Sequence, residues 1–263
     1  MTRLLESLPL AAGLLVAVLY ARALLRTGRP SRSSALAFFA GMLAVFVALL
    51  PPVDSLAEHS LTAHMIQHEL LFVAPLLLLA GNAGTGALLG IERPLRGRVA
   101  RWVRWVVADA QVLVKRHVAW ALLVTSLAVW HLPAVFDATL SSALLHGLEH
   151  LSFFGVGLTY WASIVGVRQA REHGYGGALA SLFLLSLVGT AGGALLAFAT
   201  APWYPVHSGR ATAAGLDWLT DQQLAGLVMW IPMGLLLISM FIGMAMRWLR
   251  SIEAAASVPG PRR

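Results

Sequence analysis

Histidines occur in two pairs of identical spacing in this chain. His64 and His68 form the first pair, and His146 and His150 form the second. An i, i+4 spacing places two imidazoles about 6 Å apart on one face of a helix, which is a common way to present two nitrogen ligands to one metal ion. A fifth histidine, His131, lies near the end of another apolar stretch. We therefore predict that these five histidines form a metal site, in which at least three of them share one metal ion or a haem.

Acidic residues and methionines accompany the histidines. A carboxylate that accepts the free ring N–H orients a ligating imidazole, and a thioether is a soft ligand that favours Cu(I) over Zn²⁺. Helix capping is the simpler interpretation of an acid at a helix start, and packing is the simpler interpretation of a methionine on a helix face. The candidates for supporting residues or additional ligands are Glu149, Asp221, Met65, Met229 and Glu69.

The composition shows in which environment such a site would lie. Of the 263 residues, 58% are hydrophobic and 12% are charged, and the mean hydropathy is +0.75. A soluble domain carries about 25% charged residues. The chain has no cysteine, which excludes disulfides, iron–sulfur clusters and thiolate metal sites. These values exclude a cytosolic enzyme and a nucleic-acid-binding domain, and they predict an integral membrane protein.

Seven stretches satisfy the requirement for a membrane span, which is about 20 mostly apolar residues. They lie at residues 8–25, 35–52, 62–81, 117–136, 144–167, 178–201 and 222–247. The arginine-rich segment 96–107 is predicted to be an amphipathic helix in the membrane interface, between spans 3 and 4. The predicted fold is therefore all-α, a single domain over residues 1–263 that forms a bundle of seven transmembrane helices. The first stretch is kept as a span rather than a signal peptide, because more cations follow it than precede it.

The positions of the cationic residues predict the orientation of the bundle. Of the 19 lysines and arginines, all but Arg3 and Arg210 lie in the connections after odd-numbered spans or at the C-terminal end. Because such residues concentrate on the cytoplasmic side, we expect the N-terminus outside and the C-terminus in the cytoplasm. The paired histidines then lie in the outer half, together with His59 and His207.

Four motifs resemble those of the CtaG family, the polytopic assembly factors of bacterial cytochrome c oxidase. They are AHMIQH at 63–68, WHLP at 130–133, LHGLEH at 145–150, and DQQLAG at 221–226 with MWIP at 229–232. The resemblance covers residues 35–248 and implies maturation of a haem–copper oxidase, with copper handling as the activity. It implies that the five histidines are the motif histidines and that Asp221 is the motif acid. Glu69 departs from the family, in which this position is usually apolar.

We therefore expect an assembly factor, not an enzyme, that binds copper at an outward-facing histidine site and helps deliver the metal to, or mature, a haem–copper oxidase. The expected partners are oxidase subunits, extracytoplasmic copper carriers and the lipid bilayer, but not nucleic acid. The expected location is the bacterial inner membrane, with multiple spans. Two alternatives stay open. A cross-helix pair such as His68 and His150 could ligate haem b, or a zinc-bound water could make the chain an intramembrane hydrolase with Glu149 or Asp221 as the base.

Overall fold

The computed structural model describes residues 2–51, 53–165, 167–204 and 215–256, and the regular secondary structure in these ranges is entirely helical. The helices are α1 (Thr2–Thr27), α2 (Arg32–Leu49), α3 (Val53–Ala57), α4 (Leu61–Ala80), α5 (Ala83–Gly90), α6 (Arg93–Asp109), α7 (Arg116–Trp130), α8 (Pro133–Ser141), α9 (Ala143–Val165), α10 (Val167–Ala197) and α11 (Trp218–Ala256). A 3-10 turn, Ala110–Val112, follows α6. The prediction of an all-α fold is confirmed.

Several of these helices are long and apolar enough to cross a membrane. Among the described residues, five qualify by themselves, namely α1, α2, α4, α10 and α11, and a sixth span results if α7 and α8 are counted together. The predicted span at 144–167 corresponds to α9, in which two histidines and a glutamate lower the hydropathy. The membrane character of the chain is therefore confirmed, while the number seven and the orientation stay predictions.

The predicted span at 117–136 corresponds to two helices rather than to one. α7 ends at Trp130, and α8 begins at Pro133 with a bend of 75° between the two axes. Proline has no amide hydrogen and its ring clashes with a preceding helical turn, so a new helix begins there. Because of this bend, His131 lies at the C-cap of α7 and not inside a continuous helix.

The arginine-rich segment forms a helix, as predicted. Residues 96–107 lie within α6, and the indoles of Trp102 and Trp105 are 64% and 66% exposed. Exposed indoles favour the boundary between lipid and water. α6 therefore has the character expected of an interfacial helix.

α4 carries His64 and His68 and has a central position among the helices. It packs against α2, α3, α9 and α11, whereas α7 packs against α9 and α10 packs along α11. The indole nitrogen of Trp161 on α9 donates to the Phe72 carbonyl on α4 at 2.9 Å, and both side chains are buried in the main hydrophobic cluster. This packing sets α4 and α9 face to face.

Two glycines allow α10 and α11 to approach closely. A Cβ atom on Gly226 would lie 2.6 Å from the Gly193 carbonyl oxygen, and one on Gly193 would lie 2.8 Å from the Gly226 oxygen. Both distances are shorter than real Cβ contacts. Small residues at a helix crossing let two backbones pack directly in a membrane protein.

We expect Gly226→Ala to destabilise the protein by about 1–3 kcal/mol, because the added methyl group must push α10 away from α11. Gly234→Ala on the same helix is the matched control, since a Cβ there has no atom of the described residues within 4 Å. Thermal unfolding of both variants in detergent measures the effect. Equal melting temperatures would contradict the close-packing interpretation.

Candidate metal centre

The structure brings the two predicted histidine pairs together. His64 and His68 lie in the N-terminal half of α4, and His146 and His150 lie near the start of α9. The ring centroids are 4.3 Å apart within the first pair and 4.2 Å apart within the second. Across the two helices, the centroids of His64 and His146 are 5.6 Å apart, and those of His68 and His150 are 6.1 Å apart. Four imidazoles therefore form one cluster.

His131 completes the predicted set from the C-cap of α7. Its ring centroid lies 6.3 Å from that of His68. Its Nδ1 lies 2.7 Å from the Leu127 carbonyl oxygen, and because a carbonyl only accepts, this nitrogen carries the proton. In the neutral ring, Nε2 then keeps its lone pair. His131 is thus held in the tautomer that a metal ligand requires.

Glu149 lies at the centre of the cluster. One carboxylate oxygen is 3.4 Å from His68 Nε2, and the other is 3.5 Å from His64 Nε2. The side chain is fully buried, at 0% exposure. The sequence placed Glu149 among the supporting residues, and the structure places its carboxylate where it can be a direct ligand.

Two sets of three potential ligand atoms, each set within 4.8 Å, occur among the described residues. One set consists of His64, His146 and Glu149, and the other consists of Asp54, His146 and His150. The two sets share His146. Three protein ligands would leave a four-coordinate ion one further position for water or another ligand.

Asp54 is the residue of this site that the sequence interpretation missed. It lies on the short helix α3, and its Oδ1 accepts a hydrogen bond of 2.9 Å from Gln67 Nε2. The same Gln67 nitrogen donates to the Ala48 carbonyl oxygen at 2.7 Å. Gln67 stands inside the AHMIQH motif, so its amide was a signal for a polar partner. The identity of that partner depends on how the connection between α2 and α4 folds.

The cluster lacks hydrogen-bond partners for many of its buried polar atoms. Within the described ranges, no partner is found for either ring nitrogen of His64 and His68, for Nε2 of His131, His146 and His150, or for either oxygen of Glu149. Buried polar groups are normally paired, and each unsatisfied one costs about 1–3 kcal/mol. A bound cation would satisfy one nitrogen lone pair of each imidazole that ligates it, together with an oxygen of Glu149. The residues present therefore fit a metal ion.

Asp221 has a structural role that the sequence only partly indicated. Its carboxylate accepts from Ser60 Oγ at 2.8 Å, from the Leu61 amide at 2.6 Å and from the Thr62 amide at 3.3 Å. These donors lie at the start of α4, so Asp221 caps the helix that carries the first histidine pair. Capping was expected for the helix of Asp221 itself, whereas Asp217 caps α11. Neither set of grouped ligand atoms includes Asp221.

The two glutamines that follow Asp221 extend this anchoring to the segment after α10. Gln222 Oε1 accepts from the Trp203 amide at 2.7 Å, and Gln223 Nε2 donates to the Ala199 carbonyl oxygen at 3.0 Å. The DQQ sequence therefore joins the start of α11 to the start of α4 and to the segment that follows α10.

The predicted methionines pack among apolar side chains. Met65 is 1% exposed, and Met229 packs against the same hydrophobic cluster, which contains Phe136, Leu196 and Tyr204. Packing is therefore the role that the structure shows for both. The idea that a thioether contacts the metal gains no supporting observation.

Glu69 and His59 are not part of the cluster of five histidines. Glu69 lines a cavity of about 340 Å³ between α4 and α11, together with Leu70, Val73, Val228 and Pro232, and no histidine borders it. Exposed His59 donates to the Ser55 carbonyl oxygen at 2.9 Å. His207 lies outside the described residues.

The sequence profile of one protein family matches the chain. It is the cytochrome c oxidase caa3 assembly factor family (Caa3_CtaG), and the match covers residues 18–251. This range contains all five clustered histidines and extends from α1 into α11. No curated protein and no solved structure matches the chain.

Proposed function

Because the chain belongs to the cytochrome c oxidase caa3 assembly factor family, we propose that it binds a copper ion at the histidine cluster and delivers it to, or helps to mature, a haem–copper oxidase. The observation that carries this proposal is the cluster of five imidazoles beside the buried carboxylate of Glu149, in which each ring has at least one buried nitrogen without a hydrogen-bond partner among the described residues. Such a group is costly unless it binds a ligand.

The imidazole and carboxylate ligands favour a transition metal that is neither strongly hard nor strongly soft. Imidazoles suit copper and zinc, and affinity for divalent ions of this series is highest for Cu²⁺. Copper is also the metal that the family's oxidase partner would require, so it is the cargo in this proposal. Oxidase subunits and extracytoplasmic copper carriers are the proposed partners. The bundle would lie in a bacterial inner membrane with its histidine cluster facing outward, and no bond would be made or broken.

Neither alternative has an observation in its favour. Ligation of haem b by His68 and His150 would require space for a macrocycle between α4 and α9, and the Glu149 carboxylate lies there, within 3.5 Å of both imidazoles on α4. A hydrolase would require a base beside a metal-bound water. Asp221 is already engaged by three donors, and Glu149 groups with the ligands themselves.

Metal analysis of the purified full chain tests the proposal. Copper and zinc are measured together after reconstitution with Cu²⁺ and Zn²⁺, in the wild type and in His64→Ala/His68→Ala. We expect bound copper in the wild type and its loss in the double variant. The matched control is His59→Ala/His117→Ala, which removes two exposed histidines outside the cluster. Absence of metal from the wild type, or zinc alone, would overturn the proposal.

A further inference from the structure

We propose that the copper ion occupies two successive positions in the cluster. It enters at Asp54, His146 and His150, and it then moves to His64, His146 and Glu149. This inference rests on the proposed function, since both positions serve the same ion. It assigns an entry role to Asp54, which lies on a different helix from every histidine of the cluster.

The two positions differ in their access to the surface. Asp54 and His146 are half-buried, and His150 is 9% exposed. His64 and Glu149 are both at 0% exposure. An ion arriving from the surface therefore meets the first position before the second. The inner position is the one that excludes water and competing ligands.

The shared ligand makes the two positions alternatives. A neutral imidazole has one nitrogen lone pair, so His146 binds one ion at a time. An ion held by His146 changes position by releasing Asp54 and His150 and gaining His64 and Glu149. Each position offers two imidazoles and one carboxylate. The move therefore exchanges one imidazole and one carboxylate for another of each, and the type of ligand around the ion does not change.

Gln67 orients the Asp54 carboxylate of the entry position. Its amide nitrogen holds Asp54 Oδ1 at 2.9 Å and the end of α2, through Ala48, at 2.7 Å. This hydrogen bond fixes the orientation of the carboxylate and leaves its second oxygen for the ion. Gln67 lies on α4 between His64 and His68, so the helix of the inner position also aligns the outer one.

The rate of ion loading tests this inference. The full chain is mixed rapidly with Cu²⁺ alone, quenching of tryptophan fluorescence is followed, and the bound copper is counted at equilibrium. We expect Asp54→Asn to slow loading about tenfold, equivalent to about 1.4 kcal/mol in the barrier, and to bind the same single ion at equilibrium. Asparagine still accepts the hydrogen bond from Gln67, so the local fold is kept.

Glu58→Gln is the matched control, because it removes a negative charge from the same connection between α2 and α4 at a residue outside both ligand sets. We expect it to load at the wild-type rate. Equal slowing in both variants, wild-type loading by Asp54→Asn, or two ions per wild-type chain would overturn the inference and leave the proposed function standing. A wild-type chain that binds no copper would overturn both.

Discussion

Replacing Glu149 with glutamine is expected to weaken copper binding by about a hundredfold or more, because even an outer partner of a metal ligand contributes about 10–100-fold and Glu149 can be a ligand itself. The same change is expected to stabilise the ion-free protein by about 1–3 kcal/mol, since it replaces a buried carboxyl group whose oxygens have no hydrogen-bond partner among the described residues. Copper titration and thermal unfolding, with and without the ion, measure the two effects.

Glu69→Gln is the control for this prediction. Glu69 is adjacent to His68 in sequence and lies on the same helix, but its side chain borders the cavity between α4 and α11. We expect copper affinity to stay at the wild-type value. A comparable loss of affinity in both variants, or a less stable ion-free Glu149→Gln protein, would contradict the assignment of Glu149 as the central carboxylate.

Opposite effects on binding and on stability are the signature of a site maintained for function. Residues that bind a ligand are often unfavourable in its absence, because their geometry and burial serve the bound state. Replacing a residue needed only for packing would lower the stability of the protein, and any loss of copper affinity would be a consequence of that lower stability. The two measurements together therefore separate a ligand from a structural residue.

Local spacing explains how the histidine cluster could be predicted from the sequence. Residues i and i+4 lie on the same face of a helix, so each pair, on α4 and on α9, could be predicted from its local spacing alone. The expectation that the two pairs lie close together followed from their similar depth in two different apolar stretches. In the structure, the ring centroids across α4 and α9 are 5.6 and 6.1 Å apart.

The features that were not predicted depend on contacts between segments far apart in the sequence. The carboxylate of Asp221 accepts from Ser60, 161 residues earlier in the chain, and no local pattern encodes such a pair. Asp54 was missed for the same reason, since the connection between α2 and α4 brings it to α9. The bend between α7 and α8 was also missed, because hydropathy alone does not distinguish a straight helix from two short ones.

Replacing Asp221 with alanine is expected to destabilise the protein by about 3–5 kcal/mol, because each buried donor left without an acceptor costs about 1–3 kcal/mol. The affected donors are Ser60 Oγ and the amides of Leu61 and Thr62, and Asp221 itself is only 2% exposed. In an apolar membrane environment, water does not replace the lost acceptor. Thermal unfolding of the ion-free protein in detergent measures the effect.

Asp217→Ala is the matched control, four residues away on the same chain segment. Asp217 is fully exposed and caps its own helix, and the hydroxyl and amide of Thr220 together with the Leu219 amide lower the pKa of its carboxyl group. We expect a much smaller loss of stability than for Asp221→Ala, because water can satisfy the released donors. Equal losses would show that the burial of Asp221 has no consequence.

The Asp221→Ala variant also shows whether Asp221 anchors α4 or ligates the metal. Asp221 fixes the first turn of α4, and His64 follows Leu61 by three residues on that helix, so loosening the turn is expected to weaken copper binding indirectly. An anchor must lower the stability of the ion-free protein as well, whereas a ligand need not. An Asp221→Ala protein that melts like the wild type in the absence of copper but no longer binds the ion would therefore place Asp221 among the ligands and contradict the anchoring role.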